Sequence, residues 1–153
     1  MSTFEARMNT TRRLVREAAE HLEKVRALRE APDRDYAALL TETLSTVRRS
    51  LESLLTYHDV PFTDETPLRA LVEAAVELAS ILRTPADLAL ALEATAPGVV
   101  GRDHLPVAER EAVLNGAYLA RDVFTMTLGE LPKSFSEDAR TVEDLPEALT
   151  SSP

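Results

Sequence analysis

Apolar residues recur along this chain three or four positions apart, the spacing of one face of an α-helix. Phe4, Met8, Val15, Ala18, Leu22, Val25 and Leu28 form the first stripe, with Thr11 filling its gap. They predict a helix from about Thr3 to Glu30, which Pro32 ends by removing an amide donor. Tyr36, Leu40, Leu44, Val47, Leu51 and Leu54 form the next, predicting a helix from about Asp35 to Tyr57. Asp33 or Asp35 is placed to cap its first amides. The link between the two is short, which favours antiparallel neighbours.

Thr66 is the expected N-cap of a third helix, with Pro67 in its first turn. Leu68, Leu71, Ala75, Leu78 and Leu82 make its inner face. The phrase "RTPADLALALEATAPG" repeats the signal: Thr84 caps, Pro85 opens, and Pro97-Gly98 closes a short fourth helix. A final helix is predicted over Val107 to Leu131, lined by Val113, Ala117, Ala120, Phe124 and Leu128. No strand pattern competes, and no internal repeat occurs. The expected fold is an all-α, up-and-down bundle of four to five helices over residues 1–131. Residues 132–153 read as an acidic, poorly ordered tail in which "VEDLPEAL" could dock.

Composition agrees. Glycine occurs four times in 153 residues, while 44% of residues are hydrophobic and 28% charged, as in a globular helical domain. No cysteine is present, which excludes disulfides, thiolate catalysis and Cys-ligated zinc and fits a reducing cytoplasm. No apolar run is long enough for a membrane span, and "MSTFEARMNTTRR" lacks the apolar core of a signal peptide. The net charge of −9 is uneven. Residues 1–30 carry seven basic and five acidic groups, and residues 31–131 carry eight and sixteen. An acidic body argues against broad phosphate-backbone binding, and leaves room for a small basic pocket.

The order of parts carries a resemblance. A second helix ends in "LESLLTYHDVPF", a short link leads into "PLRALVEAAVEL", and the loop "ATAPGVVGRDHLP" precedes "VAEREAVLNGAYLARDVFTMTLGELP". Over about residues 13–131 this resembles the HEPN domain family. The resemblance implies a helical bundle that forms a homodimer. It also implies association with a nucleotide or RNA, often beside a nucleotidyltransferase partner. Some HEPN proteins are RNA-cleaving toxins of toxin–antitoxin pairs, with Arg-x4-6-His near the last long helix. Here Arg102 and His104 are one residue apart, and Thr66-Pro67 stands where many relatives have Thr-His. The literal match "REAAEH", Arg16 to His21, lies in the first helix, its ends about 140° apart around the axis.

Several residue groups remain as candidate chemistry. Tyr57 and His58 end a helix at a corner, either capping the core or framing a ligand pocket. Arg48 and Arg49 suit phosphate, or else pair with acids such as Glu52. Arg102, Asp103 and His104 lie in a glycine-containing loop that lacks the GxxxxGK[ST] phosphate pattern. Glu17, Glu20 and Glu23 share a three-residue period, but no second carboxylate pair on a helix face completes a magnesium site. His21, His58 and His104 are too scattered for a zinc site, and no Gly-x-Ser-x-Gly elbow is present.

These observations point to a binding or partner protein without strong catalysis, needing no metal or cofactor. The ligand-binding candidates are Arg48, Arg49, Tyr57, His58, Arg102 and His104. An RNA-cleaving toxin of the same fold and a purely structural adaptor are the alternatives. A dimer surface is expected on the last helix at Tyr118, Leu119, Val123 and Met126.

Overall fold

A computed structural model of the protein describes residues 3–99, 101 and 104–139. Thr3 accepts a hydrogen bond from the Ala6 N–H at 3.0 Å and starts α1, Phe4–Glu30. Asp35 does the same for the Ala38 N–H and starts α2, Tyr36–Tyr57. The two helices run antiparallel. Arg7 reaches the Tyr57 carbonyl, Arg49 meets Glu17, and His21 meets Glu42, so numbers rise along α1 as they fall along α2.

The remaining helices are α3, Leu68–Leu78, α4, Arg83–Glu93, the one-turn α5, Ala96–Val99, α6, Val107–Gly129, and α7, Ser134–Ala139. With no strand among the described residues, the fold is an all-α helical bundle. One core joins all of the longer helices. The second helix lies in its middle, packing on α1, α3, α4 and α6. Its predicted stripe is therefore too narrow. Thr43, Thr46, Ser50, Glu52 and Ser53 are buried along with Leu39, Leu51 and Leu55. Each buried hydroxyl donates to a carbonyl of its own helix, such as Thr43 to Leu39 at 2.7 Å and Ser50 to Thr46 at 2.7 Å. Those bonds remove the desolvation cost that bare hydroxyls would carry.

Several expectations need correction. Phe4, at the start of the first stripe, is 67% exposed, and Pro97-Gly98 lie within α5 instead of closing α4, which ends at Glu93. Pro67, not Thr66, is the N-cap of α3, because the Thr66 hydroxyl instead accepts the Thr63 N–H within the link. That helix stops at Leu78, which is half-exposed, and Leu82 reaches the core from a separate 3₁₀ turn, Ser80–Leu82. The turn runs straight into α4, so Thr84 lies inside the helix rather than capping it. Pro85 is tolerated there because first-turn amides have no helical acceptor. Lastly, the chain beyond 131 does not leave the bundle at once. Phe135 and Ala139 of α7 are buried, and α7 packs on α1. The segment "VEDLPEAL" lies outside the described residues.

The corner after α2 is built by its backbone. Val60 N–H donates to Leu55 C=O at 2.8 Å, and Asp59 N–H donates to Thr56 C=O at 3.0 Å. This is the paired Schellman closure of a helix end, and it puts Asp59 at φ 59°, in the left-handed region usually given to glycine. Asp59→Gly should therefore raise stability by up to about 1 kcal/mol, the left-handed penalty less glycine's added freedom in the unfolded chain. Urea unfolding followed by circular dichroism would test it, and a destabilised variant would contradict the assignment.

Candidate functional site

The two arginines proposed for phosphate are already engaged. Glu52 is fully buried and holds both: Arg48 Nε donates at 3.0 Å and Arg49 Nη1 at 2.6 Å. Arg48 also donates from Nη1 to the Thr66 carbonyl at 2.8 Å, and from Nη2 to the carbonyls of Thr63 and Asp64. Its guanidinium thus satisfies the backbone of the α2–α3 link, which has no regular structure to do so. Arg49 bridges to Glu17 of α1 at 3.2 Å. Burial alone would lower its pKa. The hydrogen bond to Glu52 and the charges of Glu52, Glu17 and Asp64 outweigh that and hold it above its ordinary value. A raised pKa of this kind contributes stability below the unfolded value, so this pair persists through all neutral pH.

At the far end of α2, Tyr57 is half-buried and His58 is exposed. The His58 ring meets Tyr57 edge-on at 5.1 Å, and Tyr57 meets Phe135 edge-on at 5.8 Å. Tyr57 is therefore part of the seat of α7. A cavity of about 420 Å³ lies nearby between Arg7, Thr10, Val60 and Phe62, without Tyr57 or His58 in its wall. His21, the end of the "REAAEH" match, has Nδ1 2.6 Å from the Glu42 carboxylate.

The third histidine sits in a different setting. A cavity of about 460 Å³ opens where α2 and α6 begin. Arg34, Tyr36, His104 and Arg110 contribute to its wall. The Arg110 Nε is buried and has no hydrogen-bond partner among the described residues. Arg34 spends its Nε on the Arg29 carbonyl at 2.8 Å, which fixes the side chain. Asp35 lines the same cavity and keeps its negative charge, with one carboxylate oxygen accepting the Ala38 N–H, so two arginines face one acid there. Two long helices also begin here, and a helix start carries partial positive charge. The result is a local positive field in a chain of net charge −9.

The structure therefore separates the predicted site residues. His104 belongs to this cavity, and Arg102 lies outside the described residues. Tyr57 and His58 are at the opposite end of α2, about 30 Å away at 1.5 Å per residue. Arg48 and Arg49 lie between, bound to Glu52. Arg34 and Arg110 were not among the sequence candidates. Both flank helix starts, in "APDRDY" and "PVAER", and only the packing of α2 beside α6 makes them neighbours. The expected dimer surface is also divided, since Val123 is fully buried while Tyr118 is half-exposed beneath the Arg29 guanidinium at 4.2 Å.

Among the described residues, no group of three or more His, Asp or Glu side chains is placed to hold a metal ion. No helix among them is long and apolar enough to cross a membrane. The class that fold and cavity define is an all-α bundle with a small basic pocket. No protein-family model, curated protein or solved structure matches the chain.

Proposed function

We propose that this is a HEPN-like binding protein that takes a small phosphorylated ligand, a mononucleotide in the first instance, in the cavity at the starts of α2 and α6. The Arg110 side chain lining a cavity shared with Arg34 and His104, with its buried Nε lacking a hydrogen-bond partner among the described residues, is the observation that carries this reading. A buried donor without an acceptor costs stability, and a phosphate in the cavity would give the Arg110 guanidinium an anionic partner. The cavity volume of about 460 Å³ suits one small molecule. The half-buried Tyr36 ring offers a flat apolar surface for a base. The surrounding acidic body disfavours a long polyanion, so one phosphate group is preferred to an RNA strand.

Titration calorimetry with nucleoside monophosphates and with inorganic phosphate would test the site. Arg110→Ala should weaken binding by at least about tenfold, since a charge-assisted hydrogen bond contributes about 1.5–3 kcal/mol. Arg121→Ala, on the exposed side of α6, should leave affinity unchanged. Absence of binding by every phosphate probe, or equal binding by Arg110→Ala, would refute the proposal.

A further inference from the structure

A third recess lies between α4 and α6, away from the basic pocket. It has a volume of about 320 Å³ and a wall that is mostly apolar. Leu88, Ala91 and Leu92 line one side, and Ala112, Gly116 and Leu119 line the other. On each helix these positions follow three- and four-residue spacing, so two straight rows border a groove. Leu88 is 52% exposed, and Ile81 in the turn leading into α4 is 59% exposed. Burying such side chains is the ordinary driving force for helix-in-groove docking.

Charge decides what fits. Asp87 precedes Leu88, while Glu111 and Asp122 lie beside the Ala112–Leu119 row. Glu111 and Asp122 form no ion pair among the described residues, and Asp87 shares Arg83 with Glu73. Arg121 projects about half a turn away from the row. A second copy of this chain docked face to face would set these acids against themselves. The chain's own residues 142–149 carry Glu143, Asp144 and Glu147 and meet the same repulsion. Both self-occupants are acidic, as the groove is.

We infer that the α4–α6 groove docks a basic amphipathic helix of a partner protein. Its Leu or Ile anchors, spaced three and four apart, enter between Leu88 and Leu119. Its Lys and Arg side chains meet Asp87, Glu111 and Asp122. Gly116 lets α4 and α6 approach closely at the floor of the groove: a Cβ there would stand 2.7 and 2.8 Å from the two Leu92 methyl carbons, and the buried Leu92 would have to turn.

Fluorescence anisotropy with a labelled helical peptide tests the inference on the whole protein. The probe has Leu at i, i+3, i+4 and i+7 and Lys elsewhere. Its comparators are the same sequence with Glu for Lys, and a Leu/Lys peptide of equal composition without the helical period. The Lys peptide should bind at least about tenfold more tightly than either comparator. Leu88→Ser, an exposed change that leaves the core intact, should weaken it by about that factor. Equal binding of the unpatterned peptide would reduce the effect to bulk charge and overturn the inference. So would no binding of the Lys peptide, or a self-association by light scattering that Leu88→Ser abolishes.

Discussion

Replacing Glu52 by alanine should destabilise the protein by about 3–5 kcal/mol, the cost of removing one partner from a buried ion pair. The Glu52 side chain is 0% exposed and binds Arg48 and Arg49 together, with Glu17 as a second carboxylate for Arg49. Without it, two partly buried guanidinium groups lose their shared carboxylate, and Glu17 is the remaining acidic partner of Arg49. Arg48 would keep its three link carbonyls but lose its counter-charge. Glu52→Gln keeps one acceptor and the side-chain volume, so its cost should be smaller. Natural domains are stable by only about 5–15 kcal/mol, which makes the alanine variant marginal. Urea denaturation followed by circular dichroism reads both variants. A loss below about 1 kcal/mol for alanine would mean the pair behaves like a surface salt bridge.

Phe135→Ala should cost about 3–5 kcal/mol, as for other large aromatic deletions from cores. Phe135 is 1% exposed, lies edge-on to Tyr57, and has the Arg12 guanidinium 5.8 Å from its ring centre. It is the only aromatic of α7, a helix of six residues that cannot form alone. The deletion therefore removes the main anchor of the whole segment. At about 2–4 °C per kcal/mol for a chain of this size, the melting temperature should fall by about 10 °C. Serine at the exposed Lys133 is the matched control and should leave the midpoint in place. An unchanged midpoint for Phe135→Ala would return residues 132–139 to the status of a loose tail.

The contrast between these two sites and the ligand candidates explains what could be read in advance. Helix existence was legible because a 3.6-residue period records burial directly. Leu22, Leu51, Leu71 and Phe124 sit in the core where that period places them. Helix starts were less legible. Thr84 looks like a cap, but the preceding 3₁₀ turn does the capping work through the backbone. Phe135 was hidden because a single aromatic in a polar run has no period around it.

Charged residues were the least legible. Arg48 next to Arg49 reads equally well as a phosphate fork or as two ion pairs. The choice depends on Glu52 being buried, which α3, α4 and α6 bring about by covering α2 from further along the chain. Arg34 and Arg110 are 76 positions apart, by subtraction of their numbers, and nothing local links them. Their shared cavity exists because α2 and α6 start at the same end of the bundle.

By itself the sequence determined that the chain is helical, roughly where each helix runs, and most of the apolar residues that each turns inward. Those are properties of neighbours within a few residues, set by backbone geometry and by the free energy of removing apolar surface from water. The tertiary structure alone decided which arginines are consumed by a buried carboxylate and which face a cavity. Electrostatic roles depend on distance and desolvation in three dimensions, and spacing along the chain encodes neither.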